Sequence, residues 1–116
     1  MSRRYDWVSL QQMLDHAEEA VAFARGKAKQ YLASDRLLQL GLVRLVEIVG
    51  EAARRVKPET QTRYPNIAWA KVIGMRNRLA HGYDGINLDT LWDTVTEDLT
   101  ALLSALPAVL ARIERP

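Results

Sequence analysis

A chain of 116 residues, 48% hydrophobic and 26% charged, is long enough to bury one core without covalent staples. The absence of cysteine excludes disulfides, thiolate metal sites and cysteine nucleophiles, and only two histidines, His16 and His81, are present, far apart in the sequence. The formal net charge of +2 and a pI near 9.2 give a mild basic lean, no stretch approaches the roughly 20 apolar residues of a membrane span, and Met1 to Asp6 lacks the apolar core of a secretion signal. The expectation is one cytoplasmic domain over residues 1–116, with no metal, no cofactor and no membrane contact.

Asp6 is the expected N-cap of a first helix from about Trp7 to Leu32, with Leu10, Met13, Leu14, Ala17, Val21 and Ala24 at helical spacing; Gly26 marks either a kink or an early end. His16, among Asp15, Glu18 and Glu19, is a surface residue in this scheme. Ser34 or Asp35 caps a second helix that runs to about Lys57, where Pro58 stops it. Its apolar pattern is wider than one face: Leu38, Leu42, Leu45, Val49, Ala52 and Val56 form one stripe, and Val43, Val46, Gly50 and Ala53 a second. Two stripes imply two neighbours, so the second is expected near the two-fold axis of a homodimer, with Gly41 and Gly50 permitting close approach. Pro58 to Asn66 reads as a connection with one helical turn. A third helix follows from about Ile67 to His81, and a fourth, capped by Asn87 or Asp89, runs to about Leu106. Pro107 is expected to open a short fifth helix through Ile113. The pattern predicts an all-α, up-down bundle of four main helices plus a short C-terminal helix.

The third helix delivers the stretch with the most chemistry, Arg76-Asn77-Arg78-Leu79-Ala80-His81-Gly82-Tyr83. The Arg76 guanidinium is a permanent cation whose planar fork suits a phosphate, and an imidazole such as His81 exchanges protons near neutrality. On an unbroken helix, at about 100° per residue, these two would lie about 140° apart, whereas Asn77 and His81 share a face at i, i+4. The helix is therefore expected to end at His81, closed by Gly82 in the left-handed conformation, with Gly85 allowing a second reversal that returns Tyr83 towards Arg76. Asn77 is placed to orient the imidazole, and Glu47 or Glu51, on the preceding helix, to hold the Arg76 fork. Spacing alone leaves an alternative open, a histidine that merely complements the helix dipole beside solvated arginines. Basic residues fill the first two-thirds of the chain, while Asp84, Asp89, Asp93, Glu97 and Asp98 crowd the segment after the motif. That asymmetry fits either a positive groove beside the motif or an ordinary mixed surface.

The motif resembles the Arg-x-x-x-x-His-x-Tyr pattern of HEPN-domain proteins, and within them of HepT-type toxin ribonucleases. Ile48-Val49-Gly50-Glu51-Ala52-Ala53, Tyr64-Pro65-x-Ile67-x-Trp69 and Leu91-Trp92-x-x-Val95 resemble further stretches of that family in the same order, covering about half the chain. The resemblance implies a HEPN-like helical domain acting as a metal-independent ribonuclease, with Arg76 and His81 catalytic; Asn77, Arg78 and Glu51 are expected to support them. It further implies a homodimer with a shared cleft, in a type VII-like toxin–antitoxin pair with a MntA-type minimal nucleotidyltransferase. In that pairing the antitoxin adenylylates Tyr83 and silences the toxin. The competing reading is a non-catalytic HEPN domain that binds a nucleotide or a partner, since binding and catalysis use the same residues.

Overall fold

A computed structural model describes residues 5–81 and 85–116, the side chains of Ala80 and His81 excepted. Helix α1 spans Asp6–Ala24 and buries Leu10, Met13, Ala17 and Ala24, part of the stripe expected from their spacing. It stops well short of Leu32. Gly26 adopts φ +77°, a left-handed conformation that glycine takes without a Cβ clash, and the chain restarts as a short helix α2, Lys29–Ala33. Of the two outcomes open at Gly26, the early end is the one realised.

Asp6 does not cap α1; Tyr5 occupies that position, and Asp6 is the first helical residue, 5% exposed. Its carboxylate instead accepts from the Lys57 backbone N–H at 3.1 Å and from the Thr60 hydroxyl. Those groups belong to the N-cap residue and the third residue of helix α4, Pro58–Arg63. A residue read as a local cap thus serves a helix about fifty positions away, which no local pattern announces.

Helix α3, Arg36–Arg55, begins as expected, with Asp35 Oδ1 accepting from the Leu38 N–H at 2.9 Å. Gln39, buried beneath it, donates to the Leu32 carbonyl at 2.9 Å and so satisfies the end of α2. Both apolar stripes of α3 are used within the chain. Val46, Gly50 and Ala53 are buried and Val43 partly so, and a Cβ on Gly50 would lie 3.3 Å from the Val72 carbonyl oxygen and 3.4 Å from that of Ile73. The second stripe therefore receives helix α5, Trp69–Ile73, and does not face a two-fold axis as the periodicity had implied.

The third helix is broken. Gly74, at φ −87° and ψ 1°, separates α5 from a single-turn helix α6, Met75–Arg78. The interruption frees the Lys71 carbonyl, and the Arg78 guanidinium donates to it at 3.0 Å. Ile67, Trp69, Val72, Met75 and Leu79 are all buried, so the inward face is kept across the break. After α6 come two-residue strands β1, Ala80–His81, and β2, Gly85–Ile86, paired antiparallel with Ala80 opposite Ile86 and His81 opposite Gly85.

Asn87 Oδ1 accepts from the Thr90 N–H at 3.0 Å and starts helix α7, Leu88–Asp93, which continues through a π-helical turn, Thr94–Asp98, into α8, Leu99–Leu110. Leu91, Val95 and Leu99 are each fully buried at intervals of four. A pure α-helix would rotate such a row by about 40° per interval, and the wider π turn keeps it aimed at the core. Pro107 does not open a separate helix; α8 runs through it, because Leu106 and Val109 on either side are buried on one face and hold the backbone in line. The described residues thus form an all-α bundle in which α1 packs on both α3 and α8, α3 carries α5 and α6, and the one short strand pair lies at the motif. Among the described residues, no helix is long and apolar enough to cross a membrane.

Candidate active site

Arg76 sits on α6 with most of its side chain exposed, and its Nε lies 2.9 Å from Oε2 of Glu47, on α3. The other oxygen of Glu47 takes Arg44 Nη1 at 3.5 Å, one helical turn earlier. Glu47 is largely shielded while both arginines are open, so one shielded carboxylate spans two exposed cations. Engaging Nε fixes the plane of the Arg76 guanidinium. Its terminal nitrogens make no hydrogen bond or ion pair among the described residues and present four N–H donors.

The sequence offers Glu47 and Glu51 as candidates for this role and names Glu51 as the supporting residue. The carboxylate on Arg76 is that of Glu47; Glu51 is exposed and forms no ion pair among the described residues. The two lie one turn apart, and the choice follows from where α6 crosses α3. The Arg44–Glu47 spacing of three was a legible sign that this part of α3 is charged, but not that Arg76 would join it.

Arg78 is turned elsewhere. Its bond to the Lys71 carbonyl makes it a brace for the end of α5, so it does not converge with Arg76 on one phosphate. Asn77 is exposed. The helix ends at Arg78, three residues before His81, so the i, i+4 relation of Asn77 and His81 is not a helical one. His81 is fixed through its backbone by pairing with Gly85, and Asn87 N–H donates to the Leu79 carbonyl at 2.8 Å, tying the hairpin base to α7. Tyr83, with Gly82 and Asp84, lies outside the described residues. His16 is half-buried, and its Nδ1 lies 2.7 Å from the Gln12 carbonyl, within α1 and apart from the motif.

The acidic segment does not stand apart as a patch. Asp89 pairs with Lys29 at 2.7 Å and Asp98 with Lys71 at 3.0 Å, so carboxylates after the motif meet cations before it. The Asp89 hydrogen bond holds the Lys29 ammonium above its ordinary pKa. Positive charge without a paired carboxylate is consequently narrower than the sequence asymmetry implied.

The fold and motif define a class: an all-α bundle that presents a carboxylate-held arginine where a helix passes into a hairpin bearing a histidine. Residues 13–109 match the family model of HepT-like ribonucleases, and the chain belongs to that family. It is 30% identical over 99 residues to a protein of Methanocaldococcus jannaschii named "Putative RNase MJ1380", covering 85% of this chain and 91% of that one. A Thermococcus cleftensis protein named "Probable ribonuclease HepT" is 30% identical over 93 residues, covering 80% and 84%. No solved structure matches the chain.

Proposed function

We propose that the protein is a cytoplasmic, metal-independent ribonuclease, the toxin of a type VII-like toxin–antitoxin pair, working as a homodimer. The observation that carries this reading is the Arg76–Glu47 contact, which uses Nε and leaves the terminal edge of an oriented guanidinium for a phosphate, five residues before His81. Neutral His81 accepts the proton of the substrate's 2′-hydroxyl, whose oxygen attacks the adjacent phosphorus. The bond to the 5′-oxygen breaks, and that oxygen takes a proton from the protonated His81 of a second copy. Arg76 stabilises the charge on the phosphoryl oxygens in the transition state. The products are a 2′,3′-cyclic phosphate, opening to a 3′-phosphate, and a 5′-hydroxyl.

A cognate nucleotidyltransferase antitoxin transfers adenylyl groups from ATP to the Tyr83 phenol, releasing pyrophosphate. The resulting phosphodiester brings negative charge and a base close in sequence to Arg76, where it competes with RNA for the same donors. Purified protein incubated with mixed RNA and chelator tests the reading. Cleavage to 5′-hydroxyl ends supports it, whereas bound and intact RNA favours a HEPN domain that only binds.

A further inference from the structure

Arg76 is not the only cation on Glu47. The Arg44 guanidinium approaches the other carboxylate oxygen at 3.5 Å, longer than the roughly 2.7–2.9 Å of a charge-assisted hydrogen bond, so it is held there by charge more than by bonding. The Glu47 side chain is 21% exposed, against 62% for Arg44 and 69% for Arg76. The anion is shielded and the two cations face solvent.

Two guanidinium groups on one carboxylate leave one positive charge in excess, and a further anion relieves their mutual repulsion. Other cations that tie the motif region to its surroundings carry no such excess. Lys71 on α5 has Asp98 at 3.0 Å, Lys29 on α2 has Asp89 at 2.7 Å, and Arg78 donates to a backbone carbonyl. An exposed ion pair adds little stability, so the fold itself gains little from the second arginine. Nothing lies within 4 Å of the missing Cβ of Gly41, one turn before Arg44 on α3, which leaves that side of Arg44 open to a ligand.

Arg76 Nε and Arg44 Nη1 take the two oxygens of the same carboxylate, which keeps both guanidinium groups within reach of successive phosphates on one RNA strand. A strand that sets its scissile phosphate on the terminal nitrogens of Arg76 passes Arg44 with the next one. We propose that Arg44 holds the phosphate adjacent to the scissile phosphate, so that the site takes RNA of three or more nucleotides in preference to a dinucleotide. Such a contact fixes the register of the backbone and reads no base. The inference rests on the ribonuclease reading above and extends its site from one phosphate to two.

The experiment uses the full-length protein, a dinucleotide with one phosphodiester and two trinucleotides with two. Each substrate carries a single ribose that fixes the bond that breaks, and the trinucleotides place the extra phosphate on either side of it. The unmodified protein should cleave the better trinucleotide with a higher kcat/KM than the dinucleotide. Arg44→Gln should reduce that preference about tenfold, chiefly through KM, as the loss of one hydrogen-bonded charge contact predicts. Its binding of a 2′-O-methyl hexanucleotide, which is not cut, should lose about 0.7 from the slope of log affinity against log salt concentration. Arg44→Lys keeps the charge and should restore the slope, and Arg112→Gln, exposed after α8, controls for the loss of one cation. Circular dichroism checks that each variant is folded. The inference is overturned if Arg44→Gln slows dinucleotide and trinucleotide by the same factor with an unchanged slope, the behaviour of a residue acting only through Glu47. It is equally overturned if Arg44→Gln and Arg112→Gln behave alike. A protein that cleaves no RNA of any length removes the ribonuclease reading, and the slope alone then decides the role of Arg44. Cleavage whose length preference ignores position 44 keeps the ribonuclease reading and removes the inference.

Discussion

Arg76 and Glu47, twenty-nine positions apart in the chain, meet through a single Nε–Oε2 contact of 2.9 Å that orients the guanidinium without occupying its terminal donors. Removing the cation should lower RNA cleavage by roughly 10²- to 10³-fold in Arg76→Ala, and Arg76→Lys should not restore it, because an ammonium lacks the planar fork. Glu47→Gln should cut kcat about tenfold with little change in KM, since a neutral amide holds the fork less firmly. Glu51→Gln serves as the matched control and should stay near the unmodified rate. Equal losses in the two glutamine variants would remove Glu47 as the positioning residue.

His81→Ala is expected to abolish cleavage and to leave the thermal midpoint within a few degrees, because the hairpin is tied through backbone bonds that an alanine retains. His16→Ala should be nearly silent in activity. Steady-state cleavage with circular dichroism melting checks both, and a His81→Ala protein that cleaves at the unmodified rate rules out the proposed proton transfer.

Tyr83→Phe should cleave RNA normally and escape silencing by the cognate transferase, with adducts of adenylyl mass on Tyr83 in the unmodified chain. Mass mapping after co-expression gives the answer. Adducts confined to Tyr5, Tyr31 or Tyr64 would refute the assignment.

Gly50→Ala places a methyl group 3.3 Å from the Val72 carbonyl oxygen, a rigid backbone neighbour. Overpacking of this kind costs about 1–3 kcal/mol, a fall of several degrees in Tm. Because α5 leads directly into α6, the displacement should also loosen the Arg76–Glu47 contact and lower kcat, an effect that a substitution at Gly41 would not produce through this route. Melting curves and cleavage rates on the same preparation test the coupling.

What the sequence settled by itself was local in origin. The stripes of α1, α3 and α8, the caps narrowed to Ser34 or Asp35 and to Asn87 or Asp89, and the run from Arg76 to His81 depend on a few consecutive residues, whose spacing and side-chain oxygens act within one or two helical turns. Gly26 was legible as a punctuation mark, though its φ of +77° decided between a kink and an end. The tertiary structure decided everything that depends on one element meeting another. Asp6 bonds the start of α4 because the start of α1 lies beside it, Gly50 admits α5 and not a second subunit, and Glu47 wins over Glu51 because α6 crosses α3 at that turn. The break at Gly74 belongs to the same class: burial of Val72, Met75 and Leu79 on one side outweighs the lost helical bonds, and Arg78 satisfies the Lys71 carbonyl left over. Periodicity says which face of a helix is apolar, but the neighbour that covers it is fixed by residues dozens of positions away.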